Sequence, residues 1–410
     1  MRKEFLPVIL GTDSNAYGMA KAFHLAYGIK SLVVGQGELF TTKGSKILDL
    51  KIIPDLGDDR VFAERLMTLS QSLSTEYEKL ILVASSDGYV EKIINNKALL
   101  SEAYVVPFID ADLMKTLNSK KGFYETCNQH GLSYPDTRVV TPTDLEGLDD
   151  IVSDLPFSYP MVLKPSDSMR YFEANFEGKK KAYIIADAEA LKNTIRAIFK
   201  STYDQPLILQ EYIAGDDTAM RVLNCVSGPD GKVRLMVLGQ PLLEDPTPTL
   251  IGNYTAIIDA YDDAIFEEYK RFLEGIGYVG FSNFDMKYDA KTGKYKVFEI
   301  NLRQGRSSFF VTGSGFNMAA YLVEAFIYGE HIETVYGTAP HLWLGIPTDM
   351  LMKYLEHPGL KKRAAKLIND GHTSTTLYYK KDHSLIRTIK VFRYYQRYVG
   401  TFKRYFVKKN

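Results

Sequence analysis

At 410 residues the chain is longer than one ordinary hydrophobic core accommodates, so two or three domains are expected. Lys plus Arg and Asp plus Glu number 50 each, which removes any global electrostatic case for nucleic-acid binding. Cys127 and Cys225 are too few and too far apart for a disulfide framework or a cysteine metal site, and no apolar run approaches the roughly 18 residues that cross a bilayer. The opening apolar run is also far too short for a signal peptide, so a reducing, cytoplasmic setting is the expectation. Charge is nevertheless unevenly spread. From Leu351 to Asn410 there are 15 Lys and Arg against 3 Asp and Glu, a net of +12 that the preceding 350 residues balance.

The first hundred residues alternate short apolar runs with helix-like stretches: strand Pro7–Leu10, helix Ala16–Tyr27 entered near Asp13, strand Ser31–Val34, helix Val61–Ser72, strand Leu80–Ala84. Strands separated by helices of this length predict a parallel, doubly wound sheet, and ligands of such sheets lie beyond the strands' carboxyl ends. Gly11–Asn15 and Ser85–Gly88 fall there, as ligand contacts or as plain turns and caps. A helix over Asn118–His130 stops at Gly131 with Pro135 beyond. Strands Tyr159–Lys164, Ala182–Ile185 and Leu207–Tyr212 follow, with a helix near Ala188–Lys200. The pattern then turns β-rich: Val222–Val226, Val233–Leu238, Tyr254–Ile258, a helix over Ile265–Ile276, and a hairpin of Phe281–Tyr288 and Tyr295–Ile300 about the Lys291-Thr292-Gly293 turn.

That hairpin is the most informative segment. Side chains alternate faces along a strand, so Glu299 and Asn301 point the same way, and Asp285 on the partner strand falls beside them in the simple register. Two carboxylates and an amide oxygen suit Mg²⁺, which takes its remaining ligands from water and phosphates. Acidic residues on a solvent-facing hairpin are common, so the trio gains meaning from its company. Lys120 begins a helix and Lys164 closes an apolar strand before Pro165; each is a mobile point charge for a phosphate. Leu207–Ile213 is an apolar strand running into a polar hinge at Gln210-Glu211-Tyr212-Ile213, followed by Gly215-Asp216-Asp217.

The blocks Ser119-Lys120…Phe123…Cys127…Gly131-Leu132…Pro135, Tyr159-Pro160…Leu163-Lys164-Pro165, Gln210-Glu211-Tyr212-Ile213-Ala214-Gly215 and Asp285…Glu299-Ile300-Asn301-Leu302-Arg303 stand in an order that resembles the ATP-grasp superfamily over roughly residues 118–310. The resemblance implies an α/β chain, α+β in its catalytic part: an ATP-grasp fold behind an N-terminal doubly wound parallel-sheet domain. It implies divisions at 1–115 (N-terminal), 116–206 (nucleotide-binding), 207–335 (metal and catalytic) and 336–410 (a basic, partly helical extension). It implies ATP and two Mg²⁺ ions as cofactors, with Lys120 and Lys164 on the nucleotide phosphates. The Gln210–Ile213 backbone would hold adenine, Asp217 the ribose, Asp285, Glu299 and Asn301 the metal, and Arg303 the phosphoryl group in transfer. Two departures stand out. The loop after Lys164, often glycine-rich in the superfamily, has no glycine over Ser166–Glu177, and Asn283 stands where some relatives carry an arginine; Arg221 is either a substitute for it or, as the sequence alone favours, an ordinary strand residue.

Within the superfamily the chain is similar to the D-aspartate ligases of Gram-positive bacteria. The likeness rests on Val8–Ala20, Ala26–Ser31, Ser85-Ser86-Asp87-Gly88-Tyr89, Tyr104–Asp110 and Asn301-Leu302-Arg303-Gln304-Gly305-Arg306-Ser307-Ser308. It implies phosphorylation of the β-carboxylate of D-aspartate by ATP and attack by the lysine ε-amine of a UDP-linked peptidoglycan stem peptide, with no nucleic-acid partner. Arg306, Ser307 and Ser308 would then hold the carboxylate that is not activated. In the basic tail Tyr394, Tyr398, Phe402 and Tyr405 recur at helical spacing among Lys and Arg. That stripe would lie on an anionic membrane at its inner face, attract an anionic substrate, or pack on the core.

Overall fold

The structure, a computed structural model, describes Lys3–Lys408 apart from Thr249, with the backbone alone at Ser168, Met169 and Phe172. The amino-terminal sheet contains β1 (Lys3–Leu10), β2 (Ser31–Gly35), β3 (Leu48–Ile52) and β4 (Tyr77–Ala84), all parallel in the order β3-β2-β1-β4. Its register sets Leu10 level with Val34 and with Ala84, so these carboxyl ends form one edge. Gly11 turns the chain there at φ +115°, and a Cβ on it would fall 1.8 Å from Ser85 Oγ, so only glycine lets the two strand ends approach this closely. Asp13 caps helix Ser14–Tyr27 by accepting from the amides of Asn15 and Ala16.

A second sheet has β5 (Thr137–Val140), β6 (Met161–Pro165), β7 (Tyr183–Ile185) and β8 (Leu207–Glu211), antiparallel in the order β5-β8-β6-β7. One face carries Met161, Leu163, Leu207 and Leu209, which close on Leu191, Ile195 and Ile198 of helix Ala188–Phe199. The third sheet runs β13-β12-β9-β10-β11-β15-β16, where β9 is Met220–Ser227, β10 Val233–Glu244, β11 Tyr254–Ala260, β12 Gly280–Asp289, β13 Lys294–Asn301, β15 Leu342–Leu344 and β16 Thr373–Ser374. Strand β14 (Val335–Gly337) pairs with β10 off this path.

The chain divides into two compact units: residues 1–132, 216–286 and 299–410 form one, and 133–215 with 287–298 the other. The boundaries therefore differ from the four sections expected at 1–115, 116–206, 207–335 and 336–410, for reasons visible in the packing. Helix Lys120–Gln129 lies on helix Asp263–Gly275, with Phe123 and His130 edge-on to Phe272, so it belongs with the third sheet. Strand β8 pairs with β5 and β6, which moves its boundary beyond the hinge.

The amino and carboxyl ends of the chain share one core. Tyr17 and Phe23 of the first helix join Phe310, Leu322, Val391 and Tyr395. Lys21, buried, donates to the carbonyls of Thr375, Thr376 and Tyr378 at 2.8, 3.1 and 2.9 Å. The tail aromatics face inward: Tyr398 and Phe402 of the last helix, Leu385–Tyr405, pack with Leu242, Ile258, Leu344, Met350 and Leu367. Of the three placements open to that stripe, the structure takes the core.

Candidate active site

Strands β12 and β13 are neighbours in the third sheet, and their facing residues gather the expected trio. Asn301 Nδ2 donates to Asp285 Oδ2 at 3.3 Å and to Asn283 Oδ1 at 3.0 Å, and Asn283 is held in turn by Asn224 at 3.3 Å. With its nitrogen spent on that pair, the Asn301 amide presents its oxygen as the remaining donor atom. The Tyr254 phenol, at the start of β11, also hydrogen-bonds the Asp285 carboxyl. Burial first, then Asp285, Glu244 and Asp217, hold that phenol protonated, so it is the donor.

Removal from water and the neighbouring Glu299 push Asp285 up to about 7, against the hydrogen bonds and the charge of Arg303. Two carboxylates drawn together out of water behave this way even with cations nearby, and a divalent cation between them removes the conflict. Two carboxylates and an amide fit Mg²⁺, which leaves most of its coordination to water and phosphate. Among the described residues there is no group of three or more His, Cys, Asp or Glu poised for a metal.

The cationic partners stand close by. Lys120, the first residue of its helix behind the Ser119 cap, places Nζ 3.5 Å from Glu299 Oε2. Asp87, Lys120, Phe123, Glu299 and Asn301 line a cavity of about 170 Å³. Arg303 donates from a terminal nitrogen to one Asp87 oxygen at 3.0 Å, and its Nε lies 2.8 Å from the other as an ion pair. Asp87 sits just past β4, at the edge from which a doubly wound sheet presents ligands. The same edge is bound to the site strand by Gln304: its amide nitrogen reaches Ala84 O at 3.1 Å, and its carbonyl accepts from Asn15 at 3.4 Å.

Arg306 opens on a narrow cavity of about 40 Å³ with Ser14, Tyr254, Trp343 and Tyr394. Ser307 and Ser308 are buried and lead into helix Phe309–Gly313, with Ser308 as its cap residue. Asp217 begins a short turn, accepts from the Glu244 amide at 2.9 Å, and lines a cavity of about 330 Å³ with Glu244, Leu242 and Tyr354. Arg221 donates to the carbonyls of Thr218 and Met220, which makes it a brace for its own strand.

Within the second unit, Lys164 Nζ donates to Gln210 Oε1 at 3.0 Å, and Gln210 reaches Thr137 Oγ1 at 3.1 Å. Glu211 pairs with Lys296, which also meets Asp289 at 3.2 Å. Burial works to lower Lys296, but these two carboxylates outweigh it and leave its pKa raised. Ile213 is buried and Tyr212 half-buried. The glycine-free loop after Lys164 forms a short helix, Ser168–Glu173.

No family model matches the chain. A D-aspartate ligase of Enterococcus faecium (strain Aus0004) is 42% identical over 410 residues, spanning 98% of this chain and 97% of its own. The chain belongs to the D-aspartate ligase family. Solved structures add the fold. The biotin carboxylase domain of the Hydrogenobacter thermophilus 2-oxoglutarate carboxylase, in complex with magnesium ADP, superposes with a TM-score of 0.61 at 15% identity over 83% of this chain and 73% of its own. The ADP complex of the Staphylococcus aureus N5-carboxyaminoimidazole synthetase gives 0.59 at 15% over 85% and 82%. An L-amino acid ligase from Bacillus licheniformis gives 0.56 at 16% over 80% and 75%. This member of the D-aspartate ligase family thus has the ATP-grasp fold and is an ATP-dependent carboxylate–amine ligase.

Sequence reasoning missed Asn224 and Tyr254 as supports of the trio and saw Asn283 only as a departure. Asn283 carried a usable signal: two residues before Asp285, it shares that residue's face of β12. Tyr254 carried none, because its approach to Asp285 depends on the strand order.

Proposed function

We propose that this ligase activates the β-carboxylate of D-aspartate with ATP and joins it to the lysine ε-amine of a UDP-linked peptidoglycan stem peptide, in the cytoplasm. The observation that carries this reading is the near full-length 42% identity to a D-aspartate ligase. The carboxylate attacks the γ-phosphorus in line, the bond to the β-phosphate oxygen breaks, and ADP leaves. The amine then attacks the acyl phosphate carbonyl, the C–O bond to phosphate breaks, and the ammonium proton is released as the amide forms.

Such phosphoryl transfer calls for positioning and charge neutralisation more than covalent help. In this reading Lys120 and Lys164 contact the nucleotide phosphates, the Gln210-Glu211-Tyr212-Ile213 backbone meets adenine, and Asp217 the ribose. Asp285, Glu299 and Asn301 would hold magnesium, two ions in all, which when bound neutralises the phosphates and polarises the group in transfer. Arg303 exchanges Asp87 for the moving phosphoryl group. Arg306, with Ser307 and Ser308, holds the carboxylate that is not activated. The Tyr254 phenol, which lines the Arg306 cavity and bonds Asp285, ties that subsite to the metal ligands.

Arg306→Ala is expected to raise KM for the amino acid by about 10²-fold, the loss of a charge-assisted pair, while KM for ATP changes little. Equal rises in both constants would remove Arg306 from the amino-acid subsite. The reading as a whole is tested by ADP release across an amino-acid panel, with a UDP-linked lysine-containing pentapeptide as acceptor. Acceptor-dependent turnover with D-aspartate is expected; turnover with L-aspartate or another amino acid, and none with D-aspartate, would refute it.

A further inference from the structure

The inward packing of the tail aromatics leaves the opposite face of the last helix, Leu385–Tyr405, turned outward, and that face is not polar. Leu385, Ile389, Phe392 and Val399 are 73%, 43%, 54% and 42% exposed. At 3.6 residues per turn they fall on one line along the helix, with Gln396 and Lys403 the polar members of that line. Beside the line, on one flank, run Lys390, Arg393, Arg397 and Arg404, with the 69%-exposed Ile386 among them. The helix holds six Lys and Arg and no Asp or Glu, and only Arg387 is taken inward, by Asp382. Lys380 and Lys381 extend the basic character just before it.

A solvent-facing helix surface on an ordinary globular protein is polar; a mainly apolar line beside a mainly basic flank is the pattern of a helix that lies in a lipid interface. We propose that this outward face seats the ligase on an anionic lipid surface, with Leu385, Ile389, Phe392 and Val399 among the acyl-chain ends and the flanking Lys and Arg at the headgroups. Long basic side chains reach past such a line to the headgroup level while their stems cover apolar surface. No helix among the described residues is long and apolar enough to cross a membrane, so the helix would lie along the surface. A second copy of the chain is the poorer occupant, because pairing two of these faces sets one basic flank against another with no acidic residue on either helix. This inference is independent of the amino acid that the enzyme activates.

The test is cosedimentation of the full-length protein with vesicles of phosphatidylcholine alone or with about one third phosphatidylglycerol. Binding to the anionic vesicles and its weakening by salt are expected. The paired change Ile389→Glu/Phe392→Glu, and separately Lys390→Glu/Arg393→Glu, should each lower the partition constant at least about tenfold. All four positions are exposed, so both variants should keep the wild-type melting curve and the wild-type turnover in solution. Wild-type protein that ignores anionic vesicles, that binds neutral ones equally, or whose variants partition as the parent does would overturn the proposal. So would a wild-type dimer in solution that the Ile389→Glu/Phe392→Glu variant loses, which would assign the face to a second copy.

Discussion

Asp285→Asn is expected to lower kcat by about 10³-fold while leaving the free enzyme as stable as the parent or more so. The two halves of this outcome have one cause. Asp285 is forced toward about 7 by burial and by Glu299, so at neutral pH the fold carries a partial, ill-tolerated charge that Tyr254, Arg303 and Asn301 offset only in part. Asparagine keeps the size and can still bond Tyr254 and Asn301 while that charge disappears. In the proposed function, activity falls because the magnesium ion would lose one of its carboxylate ligands. Thermal denaturation with and without Mg²⁺-ADP separates the effects: the variant melts at or above the parent when free, and gains less from the nucleotide. A variant that melts well below the parent would make Asp285 a structural residue.

The second large effect concerns stability. Asp382 and Arg387, both buried, pair at 2.9 Å. Asp382 also accepts from Tyr17 at 2.7 Å, from Ser45 at 2.9 Å and from the Lys46 amide at 2.5 Å. Arg387 donates to the Thr41 carbonyl at 2.8 Å and lies over the Tyr17 ring, 4.3 Å from its centroid. Asp382→Ala leaves a guanidinium buried without its counterion, which costs about 3–5 kcal/mol. The double change Asp382→Ala/Arg387→Met should recover much of that loss, since the strain lies in the orphaned charge rather than in the absent pair. Denaturant midpoints of the parent, both single variants and the double variant give the coupling. A double variant as unstable as the two singles summed would deny it.

Much of the site was legible because strand alternation is local. Glu299 and Asn301 share a face by parity alone, and a short turn at Gly293 brings Asp285 across from them. Lys120 stood out behind its serine cap, and its Nζ stands 3.5 Å from Glu299; Lys164 stood out as the close of an apolar strand, and its role belongs to the proposed function. What escaped is whatever depends on sheet order and packing. Tyr254 meets Asp285 from β11, and Asp87 meets Arg303 from the end of β4, contacts between residues far apart in the chain that no periodicity announces. Of the strands that were not read, β5 has four residues and β14, β15 and β16 two or three, too few for an alternation to register, whereas β3, Leu48-Asp49-Leu50-Lys51-Ile52, does alternate and was legible. The tail was left open rather than misread: its aromatic stripe was visible at once, but helical spacing states only that residues share a face, and the partner of that face had to be read from Leu242, Ile258 and Met350.

The bonds from Lys21 and Tyr17 to residues 375–382 bear on how the chain is made. During synthesis the first helix leaves the ribosome hundreds of residues before its carbonyl acceptors and its aspartate exist. Until then an ammonium and a phenol must stay hydrated, so the amino-terminal sheet cannot close that side of its core and waits as a half-finished layer. Residues 375–382 complete a layer that the first helix begins, so their loss would be a folding defect at the first helix.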